Sequence, residues 1–237
     1  MKLIEQLLSG TVTSIEVFFL TLIMALPLGF LVAMGRMSKV KVVRVLVDTY
    51  IQIMRGTPLL LQLLFFYFAP YYIFNASLPR FASAILAFVL NYAAYFGEIY
   101  RSGLQALDNG QREAAKVLGF SKSYTFIHIV LPQVVKNVLP SVGNEVITLV
   151  KDTALASTIG VVELFRIAQT ASSREFSTMP IFISSISSFS LISFLCTSIA
   201  LFKVLSSASF LLSLLILSKD LLLRQAESGI RLSPFTI

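Results

Sequence analysis

Cysteine and histidine are nearly absent from this chain. The single cysteine, Cys196, has no intrachain partner, which excludes a disulfide scaffold and a thiol zinc site. The single histidine, His128, argues against a histidine-based metal site. Charge is scarce as well. Asp, Glu, Lys and Arg make up 13% of the 237 residues, where a soluble domain carries about 25%. With 56% hydrophobic residues and a mean hydropathy of +0.84, that shortage excludes a disordered chain and argues against a water-soluble enzyme. The class is integral membrane protein. A net charge of +7 raises nucleic acid as a partner. The basic residues, however, fall in short stretches between apolar runs, as cytoplasmic loop charge does, so no nucleic acid is expected.

A spanning helix needs about 20 mostly apolar residues. Such runs occur at residues 12–34, 58–74, 81–100 and 134–150, and a last one, 181–217, is interrupted by Lys203. The first is too long for a cleaved signal peptide and is followed by positive charge. Arg36, Lys39, Lys41, Arg44 and Arg55 lie between the first two runs, and Arg101, Arg112, Lys116 and Lys122 between the third and fourth. The positive-inside bias puts both stretches in the cytoplasm. The expected fold is an all-α integral membrane protein with five transmembrane helices, N-terminus out and C-terminus in, in one domain covering residues 1–237. The fourth run should kink near Pro140, then yield at Lys151 and Asp152 to a short outer helix over about residues 154–165. Irregular backbone at that depth is tolerated only where protein or a water-filled cavity surrounds it.

The stretch 104–132 is a long cytoplasmic loop with an amphipathic pattern of its own. Ala114, Val117 and Leu118 recur at helical spacing, edged by Arg112, Glu113 and Lys116. Asn109-Gly110 marks a turn before them, and Gly119 ends the helix in a left-handed conformation. A second short helix starts near Ser121, with Tyr124, Ile127 and Leu131 on one side, and Pro132 marks entry to the fourth span. Two small helices at an angle make a two-helix knob suited to a groove on a partner.

Glu113-Ala114-Ala115, three residues, Gly119, nine residues, then Ile129-Val130-Leu131-Pro132 resemble the EAA loop of ABC importer permeases at every defining position. The segment from Arg55-Gly56-Thr57-Pro58 to Gln62 is similar to the polar-amino-acid branch of that family. So are Ala93-Ala94-Tyr95 with Glu98 and Arg101, Pro132-Gln133, and Lys151-Asp152-Thr153-Ala154-Leu155-Ala156-Ser157 followed by Glu163-Leu164; the family usually has Ser where Ala154 stands. The resemblance covers about residues 10 to 180. It implies a permease in a bacterial cytoplasmic (inner) membrane, paired with a second permease chain, identical or related. It also implies that cytoplasmic ABC ATPase subunits bind the ATP and dock on the loop, while an extracytoplasmic solute-binding protein delivers an amino acid. No cofactor or metal of its own is expected, and no G-x-x-x-x-G-K-[ST] phosphate loop is found.

The coupling residues implied are Glu113, for an ion pair with the ATPase, Ala114 and Ala115 for close approach, Gly119 for the angle, and Ile129, Leu131 and Pro132. The plainer reading of Glu113 is a solvated partner of Lys116. Ionisable or amide groups within the bilayer usually face a cavity or a partner charge, which makes Glu98, Asn144, Glu145, Lys151, Asp152 and Glu163 the candidates for a substrate pathway. Glu145 lies about 12 Å up the helix from Asn137, and Lys151 about 21 Å. Glu145 or Asp152 with Lys151 would supply an acceptor for an amino acid's ammonium and a donor for its carboxylate. Internal pairing is the competing reading, favoured for Glu98 with Arg101. The aromatic residues 65–68, 71 and 72 read as an interfacial belt, and Gly29 with Ala33 as a place where helices approach. The divergent part, 204–237, departs from the family pattern. Its apolar residues 204–217 are too few to cross. They lie in the interface, lengthen the last helix, or reflect an altered reading of the 3′ coding region.

Overall fold

In the computed structural model, which describes residues 2–108, 110–199 and 201, a helix begins almost at once. This is α1 (Lys2–Arg36), 35 residues long with Pro27 inside it. At 1.5 Å per residue it measures roughly 52 Å, far more than a hydrocarbon core of about 30 Å. The expected span 12–34 is its inner two-thirds.

The run at 58–74 forms only a 16-residue helix, α3 (Leu59–Phe74), which is short for a span on its own. It continues a helix where the apolar pattern predicts only loop, α2 (Lys41–Gly56), across a bend of 111°. The cause is local. Pro58 carries no N–H, and its ring pushes Thr57 into the extended conformation seen there (φ −116°, ψ 146°). Carbonyls at the end of α2 find a side chain: Gln62 Nε2 donates to Met54 O at 2.9 Å and to Thr57 O at 3.1 Å. From α4 (Arg80–Gln105), Asn91 Nδ2 donates to Met54 O at 3.0 Å and to Gln62 Oε1 at 2.9 Å. The bend is therefore a fixed joint. Arg36 at the end of α1 pairs with Asp48 of α2 at 2.8 Å.

Helix α4 touches α1, α2, α3 and α7 (Leu131–Asp152). It packs through small residues. A Cβ on Gly29 would stand 2.7 Å from Phe96 Cβ, and one on Gly97 would stand 2.6 Å from Val32 Cγ1, so α1 and α4 meet almost backbone to backbone. Ala33 is fully buried. Lower down, a Cβ on Gly103 would fall 2.1 Å from Val138 Cγ1 of α7. Ala84, Ala87, Phe88, Tyr92 and Phe96 form the heart of the core, with Val17, Leu63 and Leu149 against them.

The loop holds α5 (Gly110–Val117), then Gly119 at φ +77°. The expected second short helix is present but is not free-standing. It begins as α6 (Lys122–Tyr124), capped by Ser121, widens into a π-helical turn (Thr125–Val130), and runs straight into α7. Helical backbone is continuous from Lys122 to Ile159. Pro132, with no N–H to give, does not interrupt it, and Gln133 Nε2 donates to Ile129 O at 2.8 Å. Pro140 also lies inside α7. The outer segment differs from the expected helix at 154–165. A 3₁₀ helix (Thr153–Ile159) stops at Gly160, which is left-handed at φ +82°. A new helix, α8 (Leu164–Glu175), then starts beyond it. Glu163 caps that start instead of continuing the previous helix. The last described helix is α9 (Met179–Ile199), the fifth apolar run.

Among the described residues, four helices are long and apolar enough to cross a membrane, and five if α2 and α3 count as one broken span. The expected five-span all-α fold stands on that second count. Among the described residues there is no strand. Asn109, Lys203 and the segment 204–237 lie outside the described residues.

Candidate functional site

Two regions carry the residues singled out from the sequence. The first is the knob. Helix α5 buries Ala115 alone; Glu113 and Ala114 are exposed, and beyond them Val117 and Leu118 are 87% and 71% exposed. Val117 and Leu118 cover nothing of their own chain and form an exposed apolar patch on the short helix and the turn after it. Gly119 shapes it. A Cβ there would meet nothing within 4 Å, so its φ, not crowding, calls for glycine. Phe120, Tyr124 and His128 then stack in a column one helical turn apart, with ring centroids 5.0 and 4.2 Å apart. Ile129 is half-buried, and Leu131 and Pro132 are exposed where the π-turn joins α7. Glu113 makes no ion pair among the described residues, so the pairing with Lys116 is not formed.

The second region is a cleft of about 460 Å³ between the α2–α3 joint, α4 and the outer half of α7. Arg55, Tyr92, Tyr95, Glu145, Thr148 and Asp152 reach into it. Arg55 sits over the Tyr95 ring at 5.1 Å, an arrangement that holds a guanidinium by its flat face and leaves its edge free. Tyr92 donates its hydroxyl to Asp152 Oδ2 at 2.7 Å. One wall thus presents a cation and the other two carboxylates, within a cavity of ordinary ligand-cleft size, about 300–1,000 Å³.

The structure sorts the six pathway candidates. Glu145 and Asp152 come together in the cleft. Glu98 does not line it; its carboxylate holds Arg101 through both oxygens, with Nε at 2.9 Å. Asn144 is exposed one helical turn before Thr148 and lines no described cavity. Lys151 faces away from the cleft into a second cavity, because neighbours on a helix point about 100° apart. The expected combination of Lys151 with Asp152 or Glu145 in one site is therefore not formed. Glu163 is 2% exposed and accepts from the N–H groups of Phe165 at 2.8 Å and Arg166 at 2.6 Å, and from Ser14 Oγ at 3.5 Å. Burial pushes its carboxyl above the usual range, while the two amides pull it down. Glu163 is the N-cap of α8.

Arg55 is the charged cleft residue that the sequence does not single out as a pathway group, and Tyr92, Tyr95 and Thr148 are likewise not among the candidates. By composition Arg55 reads as loop charge, although it opens the segment Arg55-Gly56-Thr57-Pro58 that carries part of the family resemblance. The belt aromatics Tyr71 and Tyr72 are exposed, and none of the aromatic residues of α3 enters the cleft.

Residues 25–222 match the profile of the family described as binding-protein-dependent transport system inner membrane component. The chain is 37% identical over 166 residues to a putative glutamine transport system permease protein of Rickettsia prowazekii, covering 70% of this chain and 76% of the relative. It is 40% identical to the L-cystine transport system permease protein of Bacillus subtilis, with 70% of each chain covered. A crystal structure of an amino acid ABC transporter with histidines superposes with a TM-score of 0.79 at 33% identity, covering 85% of this chain and 94% of that one. The inward-facing methionine ABC transporter MetNI, at 17% identity and TM-score 0.66 over 86% of this chain and 95% of that one, shares the fold.

Proposed function

The chain belongs to the binding-protein-dependent transport system inner membrane component family, a multi-pass transport component and not itself an enzyme, and we propose that the solute it passes is a polar amino acid. The observation that carries this reading is the cleft in which Arg55 faces Glu145 and Asp152. A free amino acid offers a carboxylate to Arg55 and an ammonium to the two acids, with Tyr92 and Thr148 for polar groups. Relatives named for glutamine, L-cystine and arginine transport support the same class.

Energy enters through the knob. The exposed face of α5 with Glu113 and Ala114, and Leu118 in the turn after it, seats in a groove of an ABC ATPase subunit on the cytoplasmic side, Glu113 pairing with a base there. ATP binds to that subunit. Orientation follows from the loop charges, with the N-terminus outside and the knob in the cytoplasm. A second permease chain completes the pathway across a bacterial inner membrane, and an extracytoplasmic binding protein hands over the solute.

The linkage between the two regions is mechanical. One helical rod, Lys122 to Ile159, carries the base of the knob at one end and Glu145 and Asp152 at the other. A rigid-body tilt imposed on the knob moves both carboxylates relative to Arg55, which stands on the fixed α2–α3 joint. Pulling the charges apart weakens the hold on the solute, and closing them restores it.

The test is uptake of a labelled amino-acid panel in proteoliposomes holding the complete transporter. Arg55→Met and Glu145→Gln should each raise KM about tenfold or more while ATP still drives residual uptake. Unchanged KM for every solute in both variants would remove the cleft from the pathway.

A further inference from the structure

Lys151 faces a cavity that amino-acid transport leaves unexplained. About 1000 Å³ in volume, it lies between the outer part of α1, the end of α7, the start of α8 and the first half of α9. Among the described residues Lys151 makes no ion pair. The other charged group in the lining, Glu163, is already engaged by two backbone N–H groups and Ser14. Ile15 and Phe18 of α1 and Ile192 and Phe194 of α9 supply a predominantly apolar wall, and Ser187 and Ser188 of α9 add hydroxyls.

Depth identifies what can fill it. Ser14 stands 22 residues from the Arg36 end of α1, and Lys151 stands 20 residues from Leu131, or about 33 and 30 Å along their helices. Both distances equal one hydrocarbon thickness, about 30 Å, so the cavity lies at the headgroup level of the leaflet opposite the knob. A void of this size does not persist in a packed interior, and a lysine at the edge of the hydrocarbon needs an anion or water. The cavity is not closed off, and at that depth a mouth turned toward the bilayer meets lipid.

We propose that this cavity is a binding site for one phospholipid of the outer leaflet. Its phosphate rests on the Lys151 ammonium and the serine hydroxyls of α9, and one acyl chain lies against Ile15, Phe18 and Ile192. The lipid fills the gap between α1 and α9 and leaves the Arg55 cleft untouched. Lys151 and Asp152, adjacent in sequence, thus serve different ligands. The inference rests on the membrane placement of the chain and not on the identity of the solute.

The experiment uses the full-length chain in proteoliposomes of phosphatidylethanolamine and phosphatidylglycerol doped with a phospholipid whose acyl chain carries a photoactivatable group. After illumination, labelled peptides are mapped by mass spectrometry. Label should concentrate on residues 15–18 and 188–194 over the annular control at Phe65, and it should persist with millimolar inorganic phosphate. In parallel, native mass spectrometry of the chain washed in detergent should show one retained phospholipid. Retention should fall about tenfold in Lys151→Gln, which removes the charge, and in Ser188→Trp, which fills the cavity. Label no denser at the cavity than at Phe65, protection by free phosphate, or equal retention in wild type and both variants would each overturn the proposal.

Discussion

Tyr92 of α4 donates its hydroxyl to the Asp152 carboxylate at the outer end of α7, 2.7 Å away, and so ties together two walls of the cleft. A hydrogen bond to a charged group contributes about 1.5–3 kcal/mol. Tyr92→Phe keeps the ring in the core and removes only that bond. Solute KM should rise roughly tenfold, by the same arithmetic, with the amount of protein in the membrane unchanged. Uptake kinetics at constant expression measure this.

Gly103 of α4 packs against Val138 of α7 with no room for a Cβ. Gly103→Ala places a methyl where Val138 Cγ1 already lies and should destabilise the chain by about 1–3 kcal/mol. The double variant Gly103→Ala with Val138→Ala should recover most of that loss. A double-mutant cycle on thermal unfolding in detergent reads the coupling; simple additivity would show that the helices part at no cost.

At Gly119 the demand is conformational and not spatial, since φ is +77° and an added Cβ would find no atom within 4 Å. Gly119→Asn should keep most of the uptake, because Asn tolerates the left-handed region. Gly119→Val, strained by about 1–2 kcal/mol there, should lose uptake while inserting normally. Equal activity of the two variants would show that the turn does not set the coupling angle.

Glu163 can be tested as a cap against its reading as a pathway residue. Removing the carboxylate in Glu163→Ala strips two N–H groups of α8 of their acceptor and should cost about 1 kcal/mol. Stability in detergent should drop and the order of preferred solutes stay the same. A changed solute order with stability intact would give Glu163 a place in the pathway.

Much of this architecture is legible from spacing alone. Glu98 and Arg101 pair because i and i+3 share a helix face, and Gly29 with Ala33 marks the close approach of α1 to α4. Gly119 is readable as a helix stop because only a left-handed residue ends α5 in this way. Other features escape for physical reasons. Helix α2 is hidden because its charges, Lys41, Arg44, Asp48 and Arg55, break any long apolar window, although Val42, Leu46 and Ile53 keep a helical stripe. Arg55 is hidden with it, and its partners across the cleft come from α4 and α7, about 40 to 100 positions away. Lys151 and Asp152 do not share a site because adjacency in sequence turns two side chains apart on a helix. Ala115 belongs to the motif of the docking face, yet it is the one residue of α5 that turns inward.

The central claim is that the exposed face of α5 transmits the work of an ATPase to the cleft, and one measurement bears on it directly. ATP-driven uptake and ATP hydrolysis are followed together in proteoliposomes containing the whole transporter, with wild-type chain or Leu118→Asp, which places a charge on the 71% exposed side chain at the knob. The account requires the variant to insert and bind solute as wild type does, yet to lose copurifying ATPase and at least ~tenfold of its uptake, the effect of burying an unpaired charge in an interface. Full uptake with the ATPase still bound would contradict it.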